Sequence, residues 1–254
     1  LKAWTEVAAT GKQGRAETYS DMAIECMATL QAVYRLPLRG TQGLTQSLFE
    51  LMQIGLSVPN YSTLSRRKKD LTIKLPQCKT DEGIHVVIDS TGIKVFGEGE
   101  WKVRQHGWSN RRTWKKLHVA VNESNGDILA VEVTDNSVTD GTMLPSLLEQ
   151  IELQIIQVSG DKAYDKRKCY DAIGKRKAKA SIPPQKGARI WQHGNTKGER
   201  HIRDENLREI RKKGRKAWKR DSGYHRRYIA ESTMSRYKRV LGPTISARTF
   251  AGQT

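Results

Sequence analysis

The chain has 254 residues, 37% of them hydrophobic, which is enough to bury one substantial core and a smaller second one. Its net charge of +18 is regional: from Lys162 to Arg239 there are 26 Lys and Arg against 8 Asp and Glu, so that segment alone carries the excess. A field this concentrated favours a polyanion through counterion release, and the lack of a long apolar span or a strongly amphipathic basic helix argues against a membrane partner.

In chain order, the first 80 residues read as a helical region. Tyr19 to Tyr34 spaces Met22, Ile24, Cys26, Met27 and Leu30 at helical intervals, and Thr41 to Ile54 repeats the pattern with Leu44, Leu48, Leu51 and Met52. Gly55 to Pro59 is a turn, and Asn60 or Ser62 caps a third helix carrying Leu64, Arg66, Arg67, Lys68 and Lys69. Helix, short turn and basic helix is the order of a helix-turn-helix, with Arg66 and Arg67 as candidate DNA contacts. A small helical bundle with a solvated charged face is the plainer alternative.

The polar stretch Ile73 to Gly83 is the best domain boundary. Strands follow at His85 to Asp89, Lys116 to Val121 and Ile128 to Thr134, with Asn125-Gly126 as the hairpin turn between the last two. A helix then runs from Asp140 to Ile151, a strand from Ile155 to Val158, a helix from Lys166 to Lys177 and a strand from Ala180 to Ile182. Asp165 reads as the cap of the helix from Lys166, with a ligand role second. This order predicts a mixed α/β class with a five-stranded sheet flanked by helices over residues 84–242.

The loop from Gly97 to Lys116 interleaves Trp101, Trp108 and Trp114 with Lys102, Arg104, His106, Arg111 and Arg112, a mixture suited to phosphate neutralisation and base stacking. Arg111 and Arg112 are candidate DNA contacts, whereas Trp114, next to a strand, reads as core. The stretch from Arg208 to Arg220 around Trp218 reads as a basic DNA track. Cys26, Cys78 and Cys169 are too far apart for a zinc knuckle or a disulfide framework and read as reduced thiols; His193 and His201 have no cysteine nearby. No signal peptide is legible, which points to the cytoplasm. The chain starts at Leu1 and stops at Thr254, so both ends read as cut and residues 243–254 as a truncated tail.

Tyr224, Arg227, Glu231 and Lys238 fall on one helical stripe, a carboxylate among cations. A solvated stripe with an Arg227–Glu231 pair one turn apart would explain that face alone. Two further segments end apolar strands in an aspartate: His85-Val-Val-Ile-Asp89-Ser-Thr-Gly and Gln154-Ile-Ile-Gln-Val-Ser-Gly-Asp161. Asp89, Asp161 and Glu231 together suit the two divalent ions that phosphodiester chemistry uses.

At these residues the chain resembles the DDE transposases of bacterial insertion sequences, specifically the insertion-sequence-five-type branch. The C-terminal signature of that branch stands complete as Tyr224, Arg227, Glu231 and Lys238, with aspartate blocks at Ile88 to Gly92 and Gly160 to Asp165. Position 162 is Lys, where many relatives carry Gly. The resemblance runs from about Leu1 to Gly242. It implies a ribonuclease H-like fold, two Mg²⁺ ions replaceable by Mn²⁺, Asp89 bridging them, and Asp161 and Glu231 each completing one site. It also implies that Tyr224, Arg227 and Lys238 hold the element's end, and that a homodimer pairs two terminal repeats and joins them to target DNA. The bacterial nucleoid is the implied location. Two rivals stay open: a nuclease of the same fold without strand transfer, and a non-catalytic DNA-binding derivative.

Overall fold

The computed structural model describes residues 2–7, 17–71, 75, 77, 82–95, 114–192 and 201–245. Cys78, Trp101, Lys102, Arg104, His106, Trp108, Arg111, Arg112 and His193 lie outside the described residues, as does most of the predicted boundary at 73–83. Two compact units part between Lys74 and Leu75.

The first unit is helical. Helix α1 (Asp21–Tyr34) opens where the Ser20 hydroxyl accepts from Ala23 N at 3.1 Å, and α2 (Leu38–Leu51) opens at Pro37, whose fixed φ of −66° suits a helix start. Helix α3 (Tyr61–Arg67) is capped by Asn60, which accepts from Ser62 N at 3.0 Å. Trp4, Ala23, Ile24, Met27 and Leu64 form its buried core. The two arginines of α3 separate here. Arg66 is exposed, whereas the Arg67 side chain is only 12% exposed and is spent inside the unit on the Tyr19 carbonyl, Asp21 (2.6 Å) and Glu17 (3.1 Å). Arg67 is therefore an internal tie between α3 and the start of α1, which removes it from the expected DNA-reading face.

The second unit is built on a sheet of β1 (Ile84–Val95), β2 (Trp114–Asn122), β3 (Ile128–Asp135), β4 (Ile155–Ser159), β5 (Lys179–Ser181) and β6 (Thr244–Ile245). The order is β3-β2-β1-β4-β5, with β2 antiparallel to β1 and β3, and with β4 and β5 parallel. This mixed arrangement is the ribonuclease H-like topology the resemblance implies. Five strands were expected and six are found among the described residues. Residues 244–245 lie parallel to Lys94 and Val95, because Gly242 at φ 93° turns the chain back and the Pro243 carbonyl accepts from Lys94 N. These residues are thus part of the sheet rather than of a tail.

Strand β1 is central, and Val86, Val87 and Ile88 are buried on both faces of the sheet, whereas the strand from Asp89 to Gly92 is only partly covered. Ile84, Val86 and Ile88 pack beneath α4 (Asp140–Glu149) and α5 (Arg167–Lys175) through Leu144, Leu147, Leu148 and Ile173. Val87 and Ile93 join Leu117, Val119 and Val121 on the opposite face, under Ala230 and Met234 of the last long helix. Gly126 sits at φ 78° in the β2–β3 turn, a conformation that strains any residue with a Cβ. Between β5 and β6 lie α6 (Ile202–Lys213), α7 (Arg215–Asp221), a 3-10 turn (Tyr224–Arg227) and α8 (Tyr228–Leu241). The basic stretch from Arg208 to Arg220 is thus helical. Among the described residues, no helix is long and apolar enough to cross a membrane.

Two expectations fail here. Asp165 does not cap α5, whose N-cap is Lys166 without a side-chain bond. Instead the Asp165 carboxylate is buried and accepts from Arg203 Nε (2.7 Å), Tyr170 Oη (3.2 Å) and Gln185 N (2.9 Å). It ties α6 to the loop after β5. Trp114 is not core but 40% exposed, because it stands at the very start of β2, opposite Lys94 and over Gly92.

Candidate active site

The register of two parallel strands brings the aspartates together. Val87 of β1 lies beside Ser159, the last residue of β4, so two residues further along Asp161 follows the end of β4 while Asp89 lies within β1, which runs on to Val95 instead of ending at Asp89 as expected. This is where ligand sites collect in open α/β sheets. Alternation puts Asp89 and Thr91 on the face of Val87 and Ile93, which is the face α8 covers. Helix α8 carries Glu231 in its first turn and Lys238 two turns on.

The cations close the arrangement. Arg227 donates through Nη2 to Glu231 Oε1 at 2.7 Å and places Nη1 3.5 Å from Asp89 Oδ2, so one guanidinium spans two of the three carboxylates. The Arg227 and Asp89 side chains are about one-fifth exposed, whereas Glu231 is 59% exposed. Lys238 Nζ donates to Thr91 Oγ1 at 2.6 Å. Thr91 escaped the sequence reading although the period of two placed it on the Asp89 face. Tyr224 and Arg227 belong to a 3-10 turn rather than to a continuous helix, since Gly223 at φ 66° separates it from α7. Residues three apart eclipse in such a turn, so the predicted stripe survives the change of helix type. Lys219 Nζ lies 4.9 Å from the Tyr224 ring centroid and Arg227 Cζ 5.9 Å, with buried Trp218 tilted against that ring. Lys219 was visible in the sequence only as one of many basic residues.

Each aspartate has a fixed backbone donor. Asp89 Oδ1 accepts from Ser90 N at 3.0 Å, and Asp161 Oδ1 accepts from Ala163 N at 2.8 Å. Burial raises the Asp89 pKa; the Ser90 amide and Arg227 oppose that, and the charges of Asp161 and Glu231 add to it. Three carboxylates are therefore close enough to repel, which is the setting a cation relieves. Among the described residues, no three His, Cys, Asp or Glu side chains are close enough to share one ion. Glu231 is instead drawn to Arg227, which supplies the positive charge. The donor set fits a hard divalent ion, being all oxygen, with the second oxygens of Asp89 and Asp161 not held by those amides.

Of the predicted site residues, Asp89, Asp161, Glu231, Tyr224, Arg227 and Lys238 gather here. Arg66 and Arg67 belong to the other unit.

A mixed sheet with one aspartate within its central strand, another just past the end of the neighbouring parallel strand and a glutamate on the covering helix defines a carboxylate-bearing α/β domain. Two family models, each described as a transposase DDE domain, match residues 1–98 and 81–254. The chain belongs to the DDE transposase family.

Similar solved structures are distant. The Drosophila P element transposase strand transfer complex is 12% identical, with 66% of this chain and 42% of that chain covered and a TM-score of 0.36. The Mos1 transposase paired-end complex with left transposon end is 9% identical, with 71% and 62% covered and a TM-score of 0.26. The Mos1 mariner paired end complex with Mn is 9% identical, with 92% and 81% covered and a TM-score of 0.27. The chain spans less than two thirds of the first two, and likeness this remote decides nothing about the site.

Proposed function

We propose that this chain is a metal-dependent transposase of the insertion-sequence-five-type branch, acting on DNA in the bacterial cytoplasm. It binds the terminal inverted repeats of its element, hydrolyses the ends and joins their 3′-hydroxyls to target DNA. Two copies hold two ends in one complex. The observation that carries this reading is Arg227 spanning Asp89 and Glu231 beside Asp161.

Asp89, Asp161 and Glu231 would hold the two Mg²⁺ ions, or Mn²⁺ in their place, which would supply Lewis-acid activation for phosphodiester chemistry. The chain's own groups do the positioning. Arg227 exchanges its carboxylates for a DNA phosphate, to which a planar guanidinium binds with two parallel bonds. Lys238 and Thr91 hold the neighbouring backbone, and Tyr224 presents its ring to a base or sugar. Arg66, Arg111 and Arg112 add phosphate contacts. The basic helices α6 and α7 extend the track.

The test supplies precut element ends, target DNA and Mg²⁺ and looks for joined product. Asp89→Asn is expected to abolish joining while leaving end binding intact; full activity in that variant would sink the assignment of the three carboxylates. Hydrolysis without joining would leave a nuclease, and binding without either would leave a non-catalytic derivative.

A further inference from the structure

The turn Tyr224–Arg227 is tied to the sheet by residues outside the signature. Just before it, the Ser222 carbonyl accepts from Gln157 Nε2 at 2.9 Å and from Ser181 Oγ at 3.4 Å, so β4 and β5 hold the chain where Gly223 turns it. Within it, Arg226 Nε donates to Oε1 of Glu123, the residue that follows β2. The next residue, Arg227, goes to Asp89 and Glu231. Two consecutive arginines thus reach two separate points on the sheet.

Those points share one face. His85 pairs in register with Gln157 and Val87 with Ser159, and a period of two puts His85 on the side of Val87 and Asp89. Glu123 is fastened beside His85: its amide donates to the His85 carbonyl at 2.9 Å, and its Oε2 lies 3.9 Å from His85 Nδ1. His85 Nε2 in turn lies 2.7 Å from the hydroxyl oxygen of Ser159, a fully buried residue. From His85 to Asp89 is four residues of strand, about 13 Å. A turn gripped at both ends of that span keeps one orientation on the sheet, whereas a single ion pair would leave it free to pivot. The Glu123 side chain is only 10% exposed and relies on the guanidinium to offset its charge, while Arg226 is 62% exposed and stays solvated without its partner.

We propose that Glu123 and Arg226 are a positioning pair for the transposition site, fixing the Tyr224–Arg227 turn so that Tyr224 and Arg227 face the carboxylates and the DNA. The reason lies in the exchange that the proposed function requires. Arg227 gives up Asp89 and Glu231 when it takes a DNA phosphate, so its own ion pairs cannot hold the turn during the reaction. The Glu123–Arg226 pair and the bonds to the Ser222 carbonyl are untouched by that exchange. This role rests on the transposase reading above.

Glu123→Gln removes the charge, keeps the shape and strands no buried cation. With Mg²⁺, target DNA and saturating precut ends, its joining rate should fall roughly tenfold or more, the cost of a small misplacement at the reacting centre. Arg226→Gln, at the exposed end of the pair, should show the same loss. Arg227→Ala should cost less in the Glu123→Gln background than in wild type, because the guanidinium it removes is already misplaced; effects that simply add would overturn the proposal. A pair that serves only stability would lower the melting temperature and leave the joining rate of the folded protein unchanged, which would also overturn it. So would a Glu123→Gln chain that binds ends more tightly and joins them at least as fast, since Arg226 would then be a DNA contact that Glu123 restrains. Each of these outcomes leaves the transposase reading intact. A wild-type chain that joins no ends would remove that reading and this role together.

Discussion

The Asp165–Arg203 pair offers the sharpest test of how the second unit is held together. The two side chains are 2% and 4% exposed, and the carboxylate takes Arg203 Nε at 2.7 Å and Nη2 at 3.3 Å, besides Tyr170 Oη and Gln185 N. Arg203 in turn donates to the Arg189 carbonyl at 2.8 Å and lies 3.9 Å over the Trp191 ring. Arg203→Ala leaves a buried carboxylate without its counter-ion, which costs about 3–5 kcal/mol. A helix cap, the role the sequence suggested for Asp165, is worth only about 1 kcal/mol. At about 2–4 °C per kcal/mol for a chain of this size, the single variant should melt roughly 6–20 °C lower. Asp165→Leu combined with Arg203→Met should recover much of that loss, because replacing both partners by apolar groups of similar volume is often neutral. Urea unfolding followed by tryptophan fluorescence reads the effect, with Trp191 beside the pair. Single variants that each lose about 1 kcal/mol or less, and whose effects add without coupling, would refute the reasoning.

Three further outcomes are expected. Arg66→Ala should leave melting unchanged and lower both end-DNA affinity and its salt slope by about one unit, whereas Arg67→Ala should destabilise the helical unit by about 1–3 kcal/mol by stranding the Tyr19 carbonyl; a silent Arg67→Ala melt would remove its internal role. Burial and the nearby Arg226 lower the His85 pKa from 6.5 to about 4, so the unfolded chain binds the proton first. Stability is then whole above pH 6.5 and falls by about 3 kcal/mol as pH drops through 4; His85→Gln should flatten that slope, and an unaltered slope would place its origin elsewhere. Arg227→Ala should lower metal-free stability by about 1 kcal/mol, a modest figure because Glu231 is more than half exposed, and should enlarge the stabilisation that added Mn²⁺ confers; equal metal responses would mean that the guanidinium does not compensate the carboxylates.

Much of the second unit was legible in the residues. Apolar-rich runs such as Ile84 to Ile88 and Leu117 to Val121 announce strands because helices cover both faces of the central sheet. The Asn125-Gly126 pair announces its hairpin because a positive φ is needed at Gly126. The fixed spacing from Tyr224 to Lys238 announces a shared face, and it does so even across the change from a 3-10 turn to α8. The errors are equally physical. Trp114 and Asp165 were assigned from their sequence neighbours, but exposure and ion pairing are set by what arrives from elsewhere in the chain, as Arg203 does for Asp165 from 38 residues away.

Residue type and spacing alone determined the basic segment, the glutamate among cations and the order of elements, since these depend on local periodicity and on charge. Only the tertiary structure decided which partner each group meets. It set Asp89 beside Asp161 through the β1–β4 register, and it gave Arg227 to both Asp89 and Glu231. It also turned Arg67 inward and Arg66 outward. Those are long-range pairings, and their energies depend on burial and distance that no local pattern encodes.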